Sequence, residues 1–245
     1  MQKKPRLFLP LWMAGLPGVV AVAYTLVPAL AAGQDMEAPL WLLMLASAIQ
    51  SALLLAFAVW VGAKYAPPVG LHAPFLEALS SSQPALVKLR PQLVPALLAA
   101  VFGGVLLVAF ARFAPHQIAV LQGEVALPMF ARVLYGGVTE ELLLRWGLMS
   151  FLTWLLWRLV QRGMGVPRAS LFVIAIILSA LLFGIGHLPA VAALAGEPGW
   201  PVITYVVAGN AAFGMVAGYL FWRYGLEAAI IAHALTHVFA GTAGY

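Results

Sequence analysis

The run Leu171-Phe172-Val173-Ile174-Ala175-Ile176-Ile177-Leu178-Ser179-Ala180-Leu181-Leu182-Phe183-Gly184-Ile185-Gly186-His187-Leu188 holds one ionisable side chain in 18 residues. A bilayer core is crossed by about 20 consecutive apolar residues in a helix, so this run reads as a transmembrane helix. The rest of the chain repeats the pattern. Further spans are expected at Leu7 to Ala32, Leu40 to Gly62, Leu93 to Ala111, Leu127 to Trp157, Trp200 to Trp222 and Leu226 to Gly241. The span from Leu127 is too long for one straight crossing and too short for two. A tilted helix, loosened at Gly136-Gly137, or an added re-entrant piece accommodates it. The fold class is all-α, a polytopic membrane bundle of about seven to eight helices. Across 245 residues, 64% are hydrophobic and 9% charged, far from the roughly 45–50% apolar usage of soluble domains.

Composition also excludes. The chain has no cysteine, which removes disulfides and thiolate metal ligands. Its net charge of +5 does not indicate nucleic acid, because the basic residues sit in short loops beside apolar runs and follow membrane orientation. With the N-terminus in the cytoplasm, that side collects Lys3, Lys4, Arg6, Lys64, Lys88, Arg90, Arg158, Arg162, Arg168 and Arg223. The outer loops then hold Arg112 with Asp35, Glu37, Glu124 and Glu197, and the C-terminus lies outside. The first apolar run exceeds the 7–15 residues of a typical signal core and reads as a retained helix. The proline-rich stretch from Lys64 to Gln92 reads as a cytoplasmic loop, with a short interfacial helix at Phe75 to Leu79. No internal repeat is evident. One membrane domain over 1–245 is expected, with N-terminal helices and loop in 1–126 and a motif-bearing core in 127–245.

Ionisable groups inside a membrane point to function. Arg132, Glu140, Glu141, Arg145, His187, Asn210, His233 and His237 are the polar groups within the spans. Glu141 and Arg145, four apart, share a helix face and can pair; such a pair also serves as a structural clamp. Glu140 points elsewhere and has no partner at helical spacing. Burial without a partner raises a carboxylate toward the range of a general base. His233 and His237 stand one turn apart, a spacing found in helical zinc sites. Asn210 fits an interhelical hydrogen bond, Arg132 an outward-snorkelling side chain, and Trp146 a wall of the cavity.

In order, Glu140-Glu141-x-x-x-Arg145, Phe183-x-x-x-His187 and His233 opening a four-residue-spaced polar pair resemble the motifs of the CPBP family. That family comprises CAAX-prenyl endopeptidases and bacteriocin-processing enzymes, also called Abi proteins. The resemblance covers the chain from Leu127 onward and implies an intramembrane endopeptidase. By that resemblance Glu140 activates water, Glu141 and Arg145 brace the motif, and His187 and His233 line the catalytic cavity. The last motif position is usually Asn, tied to oxyanion stabilisation; here it is His237, whose ring can still donate a hydrogen bond.

Two mechanisms follow. Glu140 acts as base on a water held by His187 and His233 without metal, or His187, His233 and His237 bind Zn²⁺, which would lower the pKa of its bound water toward about 7. The resemblance leans to the metal-free form. The expected partners are a peptide or protein substrate with a membrane anchor and the lipid bilayer, not nucleic acid. Readings from other classes are a proton-coupled transporter, since buried Glu and His also form proton relays, and a noncatalytic bacteriocin-immunity protein.

Overall fold

A backbone in hydrocarbon must satisfy its own hydrogen bonds, which restricts spanning segments to helices here. The computed structural model describes residues 7–32, 37–124 and 127–243, with the side chains of 122–124 left aside. Lys3, Lys4, Arg6 and Asp35, on which part of the orientation rests, lie outside the described residues, as does the side chain of Glu124. The long helices are α1 (Phe8–Ala31), α2 (Leu40–Tyr65) and α4 (Ala85–Arg112). They are followed by α6 (Met129–Val160), α7 (Ala169–Gly186), α9 (Trp200–Tyr224) and α10 (Leu226–Thr242). Short helices α3 (Pro74–Ser80), α5 (His116–Glu124) and α8 (Leu188–Ala195) lie between them. Among the described residues six helices are long and apolar enough to cross a membrane, and α10 is a shorter apolar one. The chain is an all-α, multi-pass integral membrane protein.

The expected span at Leu93 to Ala111 begins earlier, at Ala85, so the non-helical part of the proline-rich loop is shorter than the sequence suggests. Pro91 and Pro95 lie inside α4, and Pro17 and Pro28 inside α1. Helical segments in a bundle tolerate such prolines because neighbours re-satisfy the freed backbone groups. The short helix expected at Phe75 to Leu79 is α3.

Helix association in lipid depends on close packing more than on apolar burial, and here glycines set the contacts. α6 lies at the centre, packed on α1, α2, α7 and α10, while α4 pairs with α10 and α7 with α9. At Gly62 of α2 a Cβ would collide with the Trp146 ring of α6. Trp146 is fully buried and donates from Nε1 to Val59 O at 3.2 Å. It therefore ties α2 to α6 and is not a wall of the cavity, since the missing side chain at Gly62 admits the indole to the core. At Gly184 of α7 a Cβ would lie 2.7 Å from Val207 O of α9.

Below the spans, a second buried polar group fastens the loop to the bundle. Glu227, in the first turn of α10, accepts from Leu76 N at 3.0 Å through Oε1 and from Gln92 Nε2 at 3.3 Å through Oε2. Gln92 Oε1 accepts from Ala228 N at 2.8 Å, and Leu226 N donates to His72 O at 3.0 Å. Three chain segments thereby converge on the helix that carries His233 and His237. A carboxylate in a helix's first turn is also favoured by the helix dipole.

Candidate active site

α6 is not wound as an ordinary helix through its motif. From Arg132 to Glu140, and again from Leu142 to Met149, the backbone takes π-helical form, closing hydrogen bonds from i to i+5. Such wide turns are rare and occur often at functional sites. They place residues four and five apart on one face. The expected loosening at Gly136-Gly137 is thus an extended wide-wound segment. The two glycines are buried against α10: a Cβ at Gly137 would lie 2.7 Å from Ala234 Cβ, and one at Gly136 would lie 2.7 Å from His237 Nε2. Their bare backbone lets α10 approach closely enough to meet the carboxylates.

Glu141 faces the core. It is completely buried, and its Oε1 lies 3.2 Å from an Arg145 terminal nitrogen and 2.7 Å from His233 Nδ1. Arg145, 1% exposed, donates through its other terminal nitrogen to Gly214 O at 3.0 Å and lies over the Phe183 ring at 5.2 Å. The expected Glu141–Arg145 pair is therefore present, with a third member from α10. The Glu141 carboxylate joins α6 to α10, and Arg145 extends the network to Gly214 of α9. With Arg145 beside it, Glu141 acts as the acceptor, so His233 Nδ1 carries the hydrogen and His233 Nε2 is left for chemistry.

Glu140 turns the other way. Its Oε1 lies 3.9 Å from His187 Nε2, and its side chain is 14% exposed against 37% for His187. His187 stands at the junction of α7 and α8. Its Nδ1 lies 2.9 Å from Phe183 O, which can only accept. Nδ1–H is therefore the donor, and in the neutral ring Nε2 offers its lone pair toward Glu140. A gap of 3.9 Å is too long for a direct hydrogen bond and suits a bridging water.

Both sets border a cavity of about 630 Å³. Its polar wall includes Glu140, His187, His233, His237, Asn210 and Tyr135. Its apolar wall includes Leu106, Phe110, Phe183, Val191 and Phe213. The His233 and His237 rings stack at 5.1 Å with 25° between planes, and His233 packs on Phe213 at 4.7 Å. His237 Nδ1 is buried without a hydrogen-bond partner. Asn210 donates to Val206 O of its own helix at 2.8 Å, so its bond is intrahelical and not the interhelical one expected. Arg132 donates from Nε to Leu127 O at 2.8 Å and lines the cavity, so it does not snorkel outward. Sequence reading missed Tyr135. It stands five residues before Glu140, a spacing that shares a face only when the helix is π-wound.

The metal reading requires three ligands to converge. Among the described residues no group of three or more His, Asp or Glu side chains is gathered in ion-holding geometry. As placed, His187, His233 and His237 do not form a ligand set, and no step below passes through a metal.

Residues 122–239 match the family described as type II CAAX prenyl endopeptidase Rce1-like. This part of the chain is similar to the Rce1-like family. The match begins just ahead of α6 and ends within α10, so it takes in both Glu residues, Arg145 and the three histidines of the cavity. The Rce1-like family is one of endopeptidases, which makes the expected chemistry peptide hydrolysis in a membrane setting. No curated protein and no solved structure matches the chain.

Proposed function

We propose that the chain is an intramembrane glutamic-type endopeptidase acting on a polypeptide held at the membrane by an anchor or terminal tail. The observation that carries this reading is the separation of Glu140 Oε1 and His187 Nε2 by 3.9 Å beside the cavity. A water between them is polarised by Glu140, which takes one proton as the oxygen attacks the scissile carbonyl carbon. His187 holds the water's second hydrogen through its Nε2 lone pair. The carbonyl oxygen becomes an oxyanion, and His233 in its imidazolium form donates to it from Nε2–H. Glu141 behind His233 fixes the ring's orientation through Nδ1. Glu140 then returns its proton to the amide nitrogen as the C–N bond breaks, which closes the proton balance.

The motif's final position, His237, supports the oxyanion by stacking beside His233 and offering a ring N–H. The apolar wall excludes water from the rest of the cavity, which strengthens each of these interactions. The experiment is cleavage by purified, reconstituted protein of an anchored substrate found by comparing membrane-protein termini with wild-type and Glu140→Gln protein. Loss of every cleavage event with an unchanged melting temperature is expected; cleavage retained by Glu140→Gln sinks the assignment. Metal content of active protein, measured alongside, tests the metal-free chemistry.

A further inference from the structure

Helix α9 packs against both helices that carry the cavity histidines, α7 and α10, and its register is pinned on each side. Gly214 O accepts from Arg145 at 3.0 Å, and a Cβ at Gly214 would lie 3.0 Å from Ala180 Cβ of α7. Nearer the start of α9, Val207 O sits against Gly184 of α7. On the other side the Phe213 ring packs on His233 of α10 at 4.7 Å. Asn210 lies between Val207 and Gly214. It therefore stands near the level of Phe183 on α7 and of the turn from His233 to His237 on α10. Val206, Gly209, Asn210 and Phe213 follow one another at the three- and four-residue spacing of a single helix face, and all four line the cavity.

Asn210 is the only carboxamide among the described residues lining the cavity. Such a group has two N–H donors and an acceptor oxygen. Val206 O can only accept, so Nδ2 is the atom bonded to it at 2.8 Å. One N–H is spent there, and the second remains. A polar side chain inside a membrane bundle carries a cost that points to function, and a bond that ties α9 only to itself does not account for that cost. Peptide hydrolysis supplies a need for the second N–H, because its tetrahedral intermediate concentrates negative charge on one oxygen. His233 and His237 offer ring donors to that oxygen from α10. Asn210 enters at the same level from the neighbouring helix, and its amide donates without first having to take up a proton.

We infer that Asn210 is a further catalytic residue, whose free Nδ2–H donates to the oxyanion from α9 while the histidines donate from α10. The inference rests on the endopeptidase reading for the oxyanion itself. A fixed donor aimed at charge that develops during reaction acts on the transition state and not on binding of the uncleaved peptide.

Asn210→Ser separates the two bonds of the carboxamide. A serine hydroxyl in a helix can bond the carbonyl four residues back, so the bond to Val206 O is kept while the cavity loses its donor. In the reconstituted cleavage assay kcat should fall about 100-fold, as when one oxyanion donor is removed, with KM and melting temperature unchanged. A phosphinic peptide built on the cleaved sequence, tetrahedral and anionic where the amide stood, should bind the variant more weakly by the same factor. Full kcat, a rise in KM alone, unchanged binding of the phosphinic peptide, or activity lost only together with melting temperature overturns the inference. Glu140→Gln, measured in parallel, keeps the two readings apart. Cleavage lost in Glu140→Gln but full in Asn210→Ser removes Asn210 alone. Cleavage retained by Glu140→Gln but lost in Asn210→Ser defeats Glu140 as the base and leaves the donor standing.

Discussion

Glu140 and Glu141 are neighbours with opposite environments, and their substitutions should fail in different ways. Glu141 holds Arg145 and His233 in a site without solvent, and removing one partner of a buried ion pair typically costs about 3–5 kcal/mol. Glu141→Ala and Arg145→Ala are therefore expected to lose that much stability, read as a lower melting temperature or loss of folded protein. Arg145→Lys should fall short as well, because an ammonium cannot hold Glu141 and Gly214 O in the same fork. An Arg145→Lys protein with full stability and activity would refute the clamp. Glu140→Gln leaves this network untouched and should abolish cleavage at unchanged stability. His237→Asn, which restores the residue usual in the family motif, should keep activity. The carboxamide can donate the hydrogen bond that the ring N–H would supply; activity lost in this variant would show that the imidazole itself is required.

At the scale of elements, the wide winding of α6 and the close approach of α10 depend on each other. Gly137→Ala would force a Cβ to within 2.8 Å of the Ala234 backbone. Contacts that short essentially do not occur, and backbone cannot yield as a flexible side chain does. We expect Gly137→Ala to lose cleavage and several degrees of melting temperature together, since it shifts α10 with both of its histidines. A second element, the strap around α3, responds to pH. The bond to Glu77 raises His72 above its ordinary value despite burial, and the two groups lie 3.4 Å apart. Burial pushes Glu77 upward, but the bonds from His72 and Ala73 N outweigh it and hold Glu77 below its ordinary value. The His72 contribution is complete below its ordinary 6.5 and is lost as pH rises through the raised value. The Glu77 contribution is complete above its ordinary 4.5 and is lost as pH falls through the lowered value. The strap should be tightest between about pH 4.5 and 6.5. Hydrogen exchange of residues 73–79, corrected for intrinsic rates, should accordingly be slower at pH 6 than at pH 8; equal protection would count against the pairing.

At the scale of the molecule, the membrane bundle and the ordered motifs were legible from one chain because hydrocarbon imposes a long apolar period and penalises each stray charge. The expected spans match the observed helices closely, apart from the early start of α4, where Pro91 reads as a loop signal and a packed bundle overrides it. Spacing alone paired Glu141 with Arg145, since four residues apart on a helix is a local relation. The sequence by itself determined the fold class, the span order and the set of ionisable groups placed at cost inside the membrane. Only the tertiary structure decided which histidine meets which carboxylate, that Tyr135 and Arg132 border the cavity, and that Trp146 does not. Those outcomes depend on π-helical winding and on glycine contacts between helices far apart in the chain, where the geometry is set by packing and not by local spacing.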